Sequence, residues 1–205
     1  DEIAWVEWDH PNMPWDGTRL MYGVLKGDPP KVEAVQQLAG DGDTPILQPA
    51  FSPDGRYLSY LENKGEWDQL VLLDLEEGDR KVLVKDKAML KPAWIQGVIV
   101  QVWAPDNQRI YFIQTENGVN QLCEVAVHTG EVKEIDMSPY TYLGQPSMRW
   151  DGTLAMQANS PYISTRIISK DKDGITIHQR STNEAMAPVD LPEPYEIHWT
   201  SSDGE

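Results

Sequence analysis

Apolar and polar positions change over short stretches all along the chain, and no long segment carries the 3.6-residue period of an amphipathic helix. Arg56 to Leu61 and Arg109 to Ile113 alternate as half-buried strands do. Each is followed, after a polar connection, by a more continuously apolar run, Gln69 to Leu75 or Gln121 to Val127. A tight turn (Glu77-Gly78, Thr129-Gly130) then leads to a last short strand, Arg80 to Val84 or Val132 to Ile135. The opening residues, Asp1 to Trp8, already read as a strand in mid-sheet, so the chain is expected to be cut from a longer one.

These strands belong to a repeat. At an offset of 52 residues, Phe51 to Gly78 aligns without a gap on Trp103 to Gly130. Pro53 meets Pro105, Asp54 meets Asp106, Gln69-Leu70 meet Gln121-Leu122, and Gly78 meets Gly130. Pro53-Asp54-Gly55 and Pro105-Asp106-Asn107 are turn chemistry, because Pro presets φ and Gly or Asn tolerates positive φ. Two weaker copies flank the pair. The first uses Ile3 to Trp8, Thr18 to Leu25 and Val32 to Leu38, and lacks its first strand. The last opens on the turn Trp150-Asp151-Gly152 and continues with Thr153 to Gln157, Ser164 to Ser169 and Ile175 to Gln179, with a hairpin turn at Asp173-Gly174. The pattern predicts an all-β β-propeller with about four visible four-stranded antiparallel blades, at residues 1–40, 47–86, 92–136 and 144–183.

Composition narrows the partners. A net charge of −16 opposes binding to nucleic acid and to anionic membranes. The longest apolar stretches fall short of the roughly 20 residues that span a bilayer. The one cysteine, Cys123, allows no internal disulfide, fits the reducing cytoplasm, and reads as a small core residue in an apolar strand. Eight Trp and eight Tyr against two Phe suit half-buried sheet surfaces and the seams between sheets.

The chemistry of an active site is missing from the pattern. There is no Gly-x-Ser-x-Gly elbow, and His10, His128, His178 and His198 are scattered without metal-ligand spacing. Asp171-Lys172-Asp173-Gly174 opens like a calcium loop, but the following residues supply no further oxygen ligands, so it reads as a turn. Gly40-Asp41-Gly42-Asp43 reads as a flexible connection between blades, and no phosphate loop is present. No catalytic residue, metal or cofactor is therefore expected. The dense polar and aromatic cluster Trp8 to Asp16 is a loop, and Asp9, His10, Asn12 and Trp15 are its candidate contact residues. Two readings stand for it: a rigid lip that meets a ligand or second domain, or a self-packed loop whose Trp rings cover a blade seam.

Ile3-Ala4-Trp5-Val6-Glu7-Trp8-Asp9-His10-Pro11-Asn12-Met13-Pro14-Trp15-Asp16-Gly17-Thr18 resembles a stretch of the acylaminoacyl-peptidase and dipeptidyl-aminopeptidase relatives of prolyl oligopeptidase. Phe51-Ser52-Pro53-Asp54-Gly55 resembles the repeat these propellers share with TolB-type propellers. Pro194 to Glu205 resembles the hinge toward an α/β-hydrolase domain, so residues 191–205 are expected to be that hinge. The resemblance implies a ring of seven or eight blades, and a peptidase whose Ser, Asp and His lie beyond this chain. It implies a propeller that gates peptide substrates, with the hydrolase domain of the same parent as its partner. A stand-alone TolB-like scaffold that binds a protein partner is the alternative. An arc of about four blades leaves sheet faces and edges open, so self-association of the fragment is expected.

Overall fold

The computed structural model describes residues 1–89, 97–182, 195, 197–202 and 204. The expected hinge at 191–205 lies largely outside the described residues. No described residue is helical, and no helix is long and apolar enough to cross a membrane.

Fifteen strands form four antiparallel sheets in chain order. The first sheet has three strands, β1 (Glu2–Glu7), β2 (Arg19–Lys26) and β3 (Lys31–Ala39). The second has β4 (Ile46–Phe51), β5 (Tyr57–Asn63), β6 (Asp68–Asp74) and β7 (Arg80–Lys87). The third has β8 (Gln101–Trp103), β9 (Arg109–Glu116), β10 (Val119–Ala126) and β11 (Val132–Ile135). The fourth has β12 (Tyr142–Met148), β13 (Leu154–Ser160), β14 (Ile163–Asp171) and β15 (Gly174–Arg180). Each complete sheet keeps its strands in sequence order, the blade meander that the repeat predicts. The first sheet lacks the inner strand, also as predicted.

The sheets stack face to face. β4 touches β8 and β8 touches β12, so the innermost strands gather about one axis. Leu20, Ile46, Leu58, Tyr60, Val71 and Leu73 bury the seam between the first two blades. A larger core with Leu70, Phe112, Leu122, Leu143 and Ile168 runs through the second, third and fourth blades. Because a middle blade is covered on both sides, the interiors of β5 and β6 are buried at nearly every position. β13, in the last sheet, keeps a strand-like alternation.

Antiparallel order sorts the connections onto two faces. The turns at 52–56, 104–108 and 149–153, and those between third and fourth strands, share one face, here the turn face. There the Asp54 N–H donates to Asn107 Oδ1 at 3.1 Å, tying one repeat turn to the next. Gly55 (φ 76°) and Asn107 (φ 60°) hold the positive φ that the turn sequence predicts. The loops at 8–18, 64–67, 117–118 and 161–162, with the blade-to-blade connections, form the opposite loop face.

Candidate contact face

The 8–18 loop is built by its own polar groups. Asn12 N–H donates to Asp9 O at 2.9 Å, and Asp16 N–H to Met13 O at 3.0 Å. Asp16 Oδ2 in turn accepts from Met13 N–H at 2.8 Å. Thr18, fully buried, donates its hydroxyl to Ile46 O at 2.8 Å and accepts from Ile46 N–H at 2.6 Å, which fixes the loop's end to the inner strand β4.

The loop and the 40–45 connection hold one another. Asn12 Nδ2 donates to Gly42 O at 3.1 Å and Thr18 N–H to Thr44 O at 3.1 Å. Asp41 Oδ1 accepts from Asp43 and Thr44 N–H, both at 3.0 Å. Gly17 packs so closely that a Cβ there would lie 1.7 Å from Gly42 O. The expected flexible connection at Gly40–Asp43 is therefore a pinned one, because its glycines serve close approach and positive φ (94° and 89° at Gly40 and Gly42).

The four candidate residues divide. Asn12 serves the loop's own structure. Asp9 Oδ2 takes a hydrogen bond from Arg19 Nη1 at 2.9 Å, and that bond and the guanidinium charge hold its carboxyl below the usual carboxylate range. His10 and Trp15 face outward, as do Trp8 and Met13, with Trp8 46% and Trp15 38% exposed. Their rings are thus only partly turned onto the blade, while Pro14, Gly17 and Thr18 make the buried side of the loop.

Other loops extend the same surface. Trp67 precedes β6, Tyr162 sits between β13 and β14, and Tyr142 opens β12, each more than a third exposed. Among the described residues up to 182, five exposed aromatic side chains lie on the loop face, against Trp150 on the turn face. A rigid apolar rim with polar edges is contact material.

Toward the axis lies a feature that sequence reasoning missed. Gln48 (φ 56°) and Gln145 (φ 54°) each open a bulge on an inner strand. Gln48 Oε1 accepts from Val100 N–H at 2.8 Å and Gln145 Oε1 from Ile99 N–H at 3.3 Å. Gln101 Nε2 donates to Gln48 O at 2.7 Å. Three adjacent inner strands are thus bonded through glutamine amides. The shared Gln-Pro pairs, Gln48-Pro49 and Gln145-Pro146, were the available signal.

Reactive groups are few. Cys123 is buried, and burial pushes its thiol up to about 11, far from a thiolate at neutral pH. Ser169 Oγ and His178 Nε2 lie 2.8 Å apart on the exposed hairpin of β14 and β15, where His178 is the bulged residue. Among the described residues no carboxylate bonds that imidazole, so the pair lacks the third member of a triad. Also among the described residues, no group of three His, Cys, Asp or Glu is placed to hold a metal ion.

No family model matches the chain. A curated relative, dipeptidyl-peptidase 5 of Porphyromonas gingivalis, is 26% identical over 156 residues, 74% of this chain and 22% of its own length. A solved structure of a Mycobacterium tuberculosis puromycin-hydrolyzing peptidase superimposes on all of this chain with a TM-score of 0.85, at 20% identity and over 31% of its own length. The chain resembles the propeller portion of the prolyl oligopeptidase family. TolB proteins are similar over less: that of Haemophilus influenzae is 36% identical over 75 residues, 32% of this chain and 18% of its own length. The TolB structure from Acinetobacter baumannii covers 90% of this chain and 54% of its own, with a TM-score of 0.51 at 17% identity. The chain thus spans about a fifth to a third of the peptidases it matches.

Proposed function

We propose that this chain is the non-catalytic propeller segment of a serine peptidase and that it gates peptide access to an α/β-hydrolase active site carried elsewhere in the parent. The observation that carries the reading is the superposition of the whole chain on 31% of a peptidase at a TM-score of 0.85, against 0.51 for TolB. Gating by size needs a narrow axial passage and rigid walls and no reactive side chain. The glutamine-bonded inner strands and pinned loops supply rigidity, and the loop face supplies contact surface.

The direction of the last strand supports the same arrangement. β15 runs from the turn at 172–173 toward the loop face, so Arg180 ends the last strand on the side that carries Trp8, Trp15, Trp67 and Tyr162. A hinge at 191–205 would then tether the hydrolase domain over that aromatic rim.

The test uses the parent protein translated from the natural reading frame. We expect hydrolysis of short peptides and little cleavage of a stably folded protein of the same sequence composition. Equal rates on both, with the propeller present, would remove the gating role. Absence of a nucleophilic serine elbow in the frame would remove the peptidase. The local 36% identity to TolB favours the second reading, a protein-binding scaffold. That reading expects no peptidase activity and stable capture of a protein partner on one face.

A further inference from the structure

The seam between the third and fourth blades differs from the seam before it at equivalent positions of the repeat. In the earlier seam, Trp103 Nε1 donates to Ser59 Oγ at 2.9 Å and Ala50 O at 3.2 Å. Its ring stacks on Tyr57 with centroids 6.3 Å apart. Lys81 Nζ closes the outer side, donating to Val127 O at 3.0 Å and His128 O at 2.7 Å. One repeat of 52 residues later, Arg109 stands in the place of Tyr57 and Lys133 in that of Lys81. Met148, three residues before the turn aspartate, stands in the place of Trp103.

Without the indole and its stacking partner, this seam stays open. A cleft of about 640 Å3 lies on its turn-face side, with Tyr111, Leu122, Ile135 and Leu154 as apolar wall. A second hollow of about 320 Å3 on the loop-face side shares Leu122 and Ile135 with it.

The cleft's charges run against those of the chain. In a protein of net charge −16 it gathers Arg109, Lys133, Lys170 and Lys172 against three carboxylates. Those carboxylates have partners already. Arg109 bridges Glu124, 3.8 Å from its Nη1, and Asp106, 2.7 Å from its Nη2. Asp151 Oδ1 accepts from Thr153 N–H at 3.0 Å, and its Oδ2 lies 3.4 Å from Arg149. Asp171 Oδ1 accepts from Asp173 and Gly174 N–H at 2.8 and 3.1 Å. Lys170 donates to Asp171 O at 2.8 Å, and Lys172 lies 3.9 Å from Asp173. Lys133 makes no ion pair or hydrogen bond among the described residues, whereas its counterpart Lys81 caps two carbonyls.

We propose that this cleft binds an extended peptide segment through a carboxylate that pairs with Lys133. The peptide's carbonyls would offer Lys133 what Val127 and His128 offer Lys81, and its side chains would cover the apolar wall. The inference involves only the third and fourth blades and does not rest on the proposed gating role. The shared chemistry is a peptide carboxylate, from an acidic side chain or from a C-terminus.

The experiment is calorimetric titration of the 205-residue chain with three capped tetrapeptides. Acetyl-Ala-Ala-Glu-Ala-amide carries a side-chain carboxylate, acetyl-tetraalanine a terminal one, and acetyl-tetraalanine-amide none. At least one carboxylate peptide is expected to bind about fivefold more tightly than the neutral one, the weight of one partly exposed charge pair. The peptide that does so identifies the source. Lys133→Gln is expected to abolish that preference without moving the thermal midpoint, and Lys81→Gln to leave it intact. Raising salt from low to high should weaken the preference. Equal binding of all three peptides, no binding, or a preference that survives Lys133→Gln overturns the proposal.

Discussion

At the scale of residues, an indole closes a seam and aspartates close the turns. Trp103 fills the space between the second and third blades and satisfies the buried Ser59 hydroxyl. Trp103→Phe deletes the donor and part of the ring volume, so unfolding in denaturant should show a loss of about 2–3 kcal/mol. An unchanged midpoint would mean that the indole does not hold the seam. The turn aspartates repeat one bond: Asp54, Asp106 and Asp151 each accept from the N–H two residues on, at 3.1, 3.0 and 3.0 Å. The Ser52 hydroxyl at Asp54 and the Thr153 N–H at Asp151 hold these carboxyls low. At Asp106 desolvation pulls upward, and the Gln108 N–H and Arg109 outweigh it. A folded pKa below the unfolded value of about 3.9 contributes stability above that pH and loses it as pH falls through the folded value. The thermal midpoint should therefore hold between about pH 6 and 5 and drop below about 4. The triple variant D54N/D106N/D151N keeps the acceptors, loses the charges, and should show a shallower drop.

At the scale of elements, the 8–18 loop and the 40–45 connection are one unit. Their backbones meet where Gly17 faces the Gly42 carbonyl, so close that no side chain fits at Gly17. Gly17→Ala is expected to push them apart and cost about 1–3 kcal/mol, the range of overpacked sites. Proteolysis at the loop should speed up in that variant, and equal digestion rates would mean that the loop stands without the connection. The sequence made this loop visible through its Pro, Asn and Trp content. It did not make its partner visible, because Asn12 and Gly42 are 30 residues apart and meet only when β2 and β3 fold between them. The Gln48 and Gln145 bulges were hidden for a related reason. The repeated Gln-Pro pair marks the two positions, but the role of each amide is decided only when a neighbouring blade presents an N–H to it.

At the scale of the whole molecule, the arc is open. β1 has a neighbour on one side only. Val32 and Val35 on the first sheet and Ile167 on the last are exposed, at 42%, 53% and 41%. Unpaired edges and apolar sheet faces favour association. The 205-residue chain is expected to form dimers or larger species at tens of micromolar, read by sedimentation, with the larger species dissolving on dilution. A monomer throughout that range would mean the exposed faces carry too little apolar area to hold two arcs together.

The sequence by itself determined the repeat, the strand order within each blade and the turns between them. Those features rest on local preferences, such as Pro-Asp-Gly for positive φ and period-two patterning for half-buried strands. It also marked the missing inner strand of the first blade and the absence of a nucleophile elbow. Only the tertiary structure decided which blade faces are covered, and hence why β5 is buried at nearly every position while β13 alternates. It likewise decided that Trp103 seals one seam and that the equivalent seam stays open over Lys133. Burial and seam closure depend on what the next blade presents, and that information is spread over residues some 50 positions apart.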